Sequence, residues 1–191
     1  MSEGNMSRRQ FLLSSLAGIG AVAASGAAKA VLPGGEVREF ATPDEAINEA
    51  WRLVEEAGFS RVIVKDSAIV AAERGRGVGP LMRLVESSPA ILEGATIVDS
   101  VVGRAVAAVA VKGGAGRVLA RTASAGAREV LAAKGIPLEA KVTVENIMNR
   151  DLTGVCPIEA ATAGLGEADA IIAAAKLKLD ALRQSAKEVG A

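Results

Sequence analysis

From Arg61 onward, short runs rich in β-branched residues alternate with alanine-rich stretches whose apolar residues recur at helical spacing. That alternation confines the chain to α/β architectures, in which helices cover the faces of a sheet. Arg61 to Ala72 is two β-rich runs around Lys65-Asp66-Ser67 and reads as a hairpin. Gly75, Gly77, Gly79 and Pro80 punctuate a loop, and Leu81, Leu84 and Val85 start a helix ending near Leu92. The nearly uncharged run that follows predicts a strand at Ala95 to Val98 feeding a buried helix from about Ser100 to Val111. A turn at Lys112 to Gly116 then leads to a strand at Arg117 to Thr122. A helix at Gly126 to Lys134, stopped by Gly135, and a strand at Glu139 to Val144 follow.

The ends of this region are also legible. Thr42-Pro43-Asp44-Glu45 opens a helix: Thr caps, Pro suits the first helical position, and Glu45 stands where a capping box needs it. Ala46, Ile47, Ala50, Trp51 and Val54 recur at helical spacing up to Gly58, which makes Trp51 a core residue. Glu167 to Glu188 is a long alanine-rich helix with Ile171, Ile172, Ala175, Leu179 and Leu182 on one face. The reading is a single α/β domain over residues 42–191, a three-layer α-β-α sandwich.

Ahead of the domain, residues 31–41 read as a linker around Pro33-Gly34-Gly35. Residues 1–30 have the pattern of a twin-arginine export signal. Arg8-Arg9 precedes a mildly apolar run from Leu12 to Ala24, which ends in Ala28-Lys29-Ala30, a small-x-small cleavage site. The run falls short of the roughly 20 residues that span a bilayer, which favours cleavage after Ala30 over retention as an anchor. The expected location is periplasmic or extracellular, with contact to the membrane only through the signal.

Composition excludes whole classes of chemistry. The chain has no His and no Tyr, so imidazole bases, imidazole metal ligands and tyrosyl acids are absent. Cys156 is the one cysteine, which rules out an intrachain disulfide and a thiolate-rich metal site; no metal and no cofactor are expected. Balanced charge without a long basic run argues against nucleic acid as a partner. The few aromatics past the leader, Phe40, Trp51 and Phe59, all lie early and offer no base-stacking platform.

Two segments remain as candidate sites. Gly75-Arg76-Gly77-Val78-Gly79 precedes a helix and could present N–H groups to an anion, but it lacks the third spaced glycine of a dinucleotide loop, so turn chemistry is the better reading. Asn149 to Glu159 is more unusual. Pro157 at a first helical position places Cys156 at the cap and Glu159 at the third position, so the thiol would face the positive end of a helix with Arg150 close by in sequence. This makes Cys156 a candidate nucleophile or sulfur or acyl carrier, assisted by Arg150 and Glu159. The alternative is that Cys156 only caps the helix while Glu159 returns a hydrogen bond to the backbone.

An ordered set of motifs adds a resemblance. Gly77-Val78-Gly79-Pro80-Leu81, Asp99-Ser100-Val101-Val102-Gly103-Arg104-Ala105, Ala123-Ser124-Ala125-Gly126-Ala127, and Asn149-Arg150 with Gly154, Cys156, Pro157 and Glu159 resemble the bacterial family called "domain of unknown function 1893" over about Arg61 to Ala160. The resemblance implies a cytidine deaminase-like fold, a mixed sheet between helices. Deaminases of that fold hold zinc through a His or Cys opening one helix and two Cys opening the next. The corresponding openings here, Asp99 to Ala105 and Ala123 to Ala127, contain neither residue. What the resemblance leaves is a pocket bordered by Asp99, Arg104 and Ser124, with Asn149 to Glu159 closing over it, suited to a small anionic or nucleotide-like ligand. Equally open is that Asp99 caps the helix and Arg104 neutralises a buried carboxylate. A protein partner docking on the C-terminal helix, or a second copy of the chain, is the remaining expectation for partners.

Changing Arg8 and Arg9 together to lysine is expected to leave the precursor in the cytoplasm. Undiminished appearance of mature protein beginning near Val31 would refute export by this route.

Overall fold

A computed structural model of the protein describes residues 37–189; the leader and most of the expected linker lie outside the described residues. Six strands form one mixed sheet: β1 (Arg38–Glu39), β2 (Arg61–Lys65), β3 (Ala68–Glu73), β4 (Thr96–Val102), β5 (Arg117–Ser124) and β6 (Leu138–Val144). Their order is β1-β3-β2-β4-β5-β6. The first four strands in that order pair antiparallel, while β4, β5 and β6 run parallel.

Six helices complete the fold: α1 (Pro43–Glu55), α2 (Gly79–Ser87), α3 (Arg104–Lys112), α4 (Ala125–Ala132), α5 (Pro157–Ala161) and α6 (Ala168–Val189). The coverage of the two faces is unequal. On one face α1 alone seals Val62, Val64, Ile69, Val98 and Leu119 with Ala46, Ala50, Val54 and the partly buried Trp51. On the other, α2, α3, α4 and α6 build the larger core around Ile63, Ile97, Val118 and Ala120. The architecture is thus α/β and three-layered, with one thin layer.

Helix α3 explains the alanine content. Its residues Ala105 to Ala110 are all buried, so it is apolar on every side, as a helix enclosed by other elements must be. Ile171 and Ala175 of α6 are fully buried in the same core. No helix among the described residues is long and apolar enough to cross a membrane.

Three expectations need correction. The helix read from Ser100 begins at Arg104, because Val101 and Val102 continue β4 in register with Thr122 and Ala123 of β5. The linker read over residues 31–41 contains a strand: Arg38 and Glu39 pair with Ile69 and Ala68. Arg38 is also tied to α1 through Glu49, whose carboxylate accepts from Arg38 at 2.6 Å and from Arg52 at 2.7 Å. The helix read as ending near Leu92 stops at Ser87, and a single tight turn follows at Pro89–Ile91. The hairpin of β2 and β3 forms as expected, with Asp66 taking a left-handed φ of 54° at the turn.

The two halves of the sheet share β4, and on its antiparallel side Arg61 of β2 stands directly opposite Asp99 of β4 and Glu73 of β3. Arg61 is 2 % exposed; its Nε donates to Asp99 Oδ2 at 2.6 Å and its Nη1 to Glu73 Oε2 at 2.7 Å. Burial disfavours the guanidinium's charge, but Asp99 and Glu73 more than offset it and raise its pKa above the ordinary range. Asp99 spends its other oxygen on the Val101 N–H at 2.9 Å.

Removing one partner of such a cluster leaves charge buried without compensation. Arg61→Ala is therefore expected to cost about 3–5 kcal/mol in urea unfolding. A loss below about 1 kcal/mol, the scale of an exposed pair, would show that the cluster does not hold β3, β2 and β4 together.

Candidate functional site

The site is built where β4 and β5 hand over to helices. β4 ends at Val102, and Gly103 caps α3 without a side chain to offer its first N–H groups. The missing cap comes from 55 residues along the chain: the Arg104 N–H donates to Glu159 Oε2 at 2.9 Å. Glu159 is 6 % exposed, and its carboxylate at the positive end of α3 is favourably placed. Gly103 is what admits it. A Cβ there would lie 2.5 Å from Glu159 Oε2.

The next helix is capped from its own sequence. Ser124, fully buried, caps α4 by accepting from the Ala127 N–H at 3.1 Å. The Arg104 side chain then crosses the opening of α4, so close that a Cβ on Gly126 would meet its guanidinium at 2.6 Å. Arg104 Nη1 donates to the Leu165 carbonyl at 3.1 Å and Nη2 to Glu129 Oε2 at 2.9 Å. Its side chain is 15 % exposed while that of Glu129 is 69 % exposed. Arg104 and Glu129 line a cleft of about 290 Å³ with Val130, Ala133 and the segment Gly164-Leu165-Gly166.

Of the candidates read from the sequence, the fold brings Arg104 and Glu159 together. Asp99 is 1 % exposed and bound to Arg61, so it caps no helix, and the carboxylate that the Arg104 side chain meets, Glu129, is an exposed one. Ser124 holds its own helix. Asn149 organises a tight turn: its Oδ1 accepts from Thr153 N–H at 2.9 Å and Gly154 N–H at 3.4 Å, and its Nδ2 donates to Thr153 Oγ1 at 2.9 Å. Arg150 is exposed in that turn.

Cys156 is the N-cap of α5 ahead of Pro157, as the sequence implies, with no hydrogen bond from its side chain to the helix. It is partly buried. Glu159 does not fold back on the α5 cap; it reaches α3 instead. Sequence reasoning missed Arg61, Glu73, Glu129 and the 164–166 segment. It quoted Gly103 and Gly126 within motifs, and the signal in them was a need for space.

A mixed six-stranded sheet flanked by helices, with a guanidinium and a carboxylate seated at two adjacent helix openings, defines the class as an α/β domain. Residues 49–179 match the family model described as a domain of unknown function (DUF1893), and the chain belongs to that family. The DUF1893 family protein TM1506 of Thermotoga maritima is similar in structure, with a TM-score of 0.63 at 18% identity over 71% of this chain and 91% of that one. Weaker likenesses are to NE0047 in complex with 2,6-diaminopurine (TM-score 0.39, 13% identity, 78% of this chain and 90% of that one) and to guanine deaminase from Nitrosomonas europaea (TM-score 0.39, 14% identity, 83% and 98%). No curated protein matches the chain.

The zinc of deaminases does not fit the residues present. The two helix openings carry Gly103-Arg104 and Ser124-Ala125-Gly126, none of them a usual zinc ligand. Among the described residues no group of three His, Cys, Asp or Glu side chains could hold a metal ion.

The close fit of Glu159 over Gly103 makes the two positions interdependent. Glu159→Ala should cost about 1–2 kcal/mol of stability as a lost cap. Gly103→Ala should cost a similar amount alone yet be nearly neutral once Glu159 is alanine, as read in a double-mutant cycle of thermal unfolding. Additive losses would mean that Glu159 does not occupy the space over Gly103.

Proposed function

We propose that the protein binds a small anion, a carboxylate or phosphate group of a larger molecule, in the cleft of Arg104, and that it does so without zinc-dependent deaminase activity. The observation that carries this reading is the state of Arg104. Its Nη1 is fixed by the Leu165 carbonyl and its Nε, Cζ and Nη2 lie over Gly126, while Nη2 also donates to an exposed, replaceable carboxylate, Glu129. A cation already oriented and already largely desolvated loses little on exchanging one carboxylate for another. The cleft, at about 290 Å³, suits a ligand at the small end of the usual range.

Export through Arg8-Arg9 would put this binding outside the inner membrane, where the protein would serve as a carrier of its ligand or as an accessory to another exported protein. The second reading, a docking module, draws support from α6. Residues 181–187 are all exposed, and Leu177 and Leu182 are 74 % and 41 % exposed. A thiol enzyme has less support. Glu159 is committed to α3, and Arg150 makes no side-chain hydrogen bond among the described residues.

Titration with inorganic phosphate and with a small dicarboxylate, followed by amide chemical shifts, tests the reading. Saturable shifts are expected in Gly164 to Gly166 and at the start of α4. Arg104→Gln should weaken them at least about tenfold, as loss of a charge-assisted pair does. Glu129→Gln should strengthen binding by up to about fivefold, the size of an exposed ion pair removed from competition. Shifts that survive Arg104→Gln unchanged would refute it.

A further inference from the structure

We propose that two copies of the chain associate about a two-fold axis by antiparallel pairing of β6 with β6, in the register centred on Ala140. The two edges of the sheet are unlike. At one edge β1 has two residues. At the other, β6 has seven, without Pro, Gly or a register shift against β5, and no described residue pairs with its outer side. A long regular edge of this kind is a template for another strand unless something covers it.

The orientation of β6 determines which groups face outward. The Val118 N–H donates to the Pro137 carbonyl at 2.9 Å, so Pro137 faces β5. In a parallel ladder alternate residues turn to the same neighbour, so Glu139, Lys141 and Thr143 also face β5, and Leu138, Ala140, Val142 and Val144 turn their N–H and C=O groups outward.

Antiparallel pairing of two such edges must match outward residues with outward residues. A two-fold axis at Ala140 does so: Ala140 meets its own copy and Leu138 meets Val142, which is 51 % exposed. The same axis places Glu139 opposite Lys141 of the second copy, twice, at the non-hydrogen-bonded positions where side chains approach most closely. Both residues are exposed. Within its own chain Lys141 pairs with Glu55 and its Nζ lies 4.6 Å from the centre of the Trp51 ring, so in the dimer its ammonium would be shared between Glu55 and Glu139 of the second copy.

Other registers lose this match. An axis at Val142 would set Glu139 against Glu145 and Lys141 against Thr143, replacing two opposite-charge pairs by two like-charge ones. Charge complementarity therefore selects both the occupant, a second copy of the strand, and its register.

Sedimentation equilibrium on the purified protein tests this. Wild type is expected at twice the chain mass in the micromolar range. Glu139→Lys and Lys141→Glu are each expected to weaken dimerisation roughly tenfold or more, because each sets like charges opposite each other at both ends of the pairing. Both changes are at exposed positions, and circular dichroism should report an unaltered fold. An equimolar mixture of the two variants should recover the dimer mass, since each carries the charges that the other lacks. A monomeric wild type, or a mixture no heavier than either variant alone, would overturn the proposal.

Discussion

Arg61 is the residue on which the sheet depends. It sits on β2, beside β4, the strand shared by the antiparallel and parallel halves, with a carboxylate on each adjacent strand. A guanidinium at 2 % exposure survives only with charge-assisted hydrogen bonds to its donors, and Asp99 and Glu73 supply them. The cluster fixes register as well as charge. A slip of β2 by one residue would turn Arg61 toward the face that α1 seals and leave two acids facing each other across the gap.

The helix openings next to this cluster show how the fold spends its own side chains. Glu159 fills the opening of α3 and Arg104 crosses that of α4, each over a glycine that leaves room for it. The result is a pair of opposite charges held at adjacent helix ends by elements far apart in the chain. Of the two, Glu159 is enclosed, while Arg104 keeps contact with solvent through the side that Glu129 covers. That asymmetry separates a structural carboxylate from a guanidinium able to exchange partners.

Most of the architecture was legible because the strand and helix periods are clean. Punctuation at Gly58, Gly79-Pro80 and Gly135 falls where elements meet. The error at α3 came from a run whose one charge is Arg104: Ser100 to Val111 suits a buried helix, and the claim of Val101 and Val102 on the sheet is visible only once β5 lies beside them. The site was less legible for the same reason on a larger scale. Arg61 and Asp99 are 38 residues apart, and Arg104 and Glu159 are 55 apart; no local spacing announces either pair. Gly103 and Gly126 stood in recognisable motifs, yet what a glycine makes room for is a fact about its neighbours in space.

The strand order also fixes where the chain enters the sheet. The polypeptide arrives from its N-terminal side at β1, and β6 closes the opposite edge, five inter-strand spacings or roughly 24 Å away. The chain therefore enters the sheet at the edge away from β6. In a doubled sheet the two attachment points would stand at its far ends, roughly 50 Å apart. Pairing through β6 would thus leave both points of entry at the outer edges, clear of the joint between the copies.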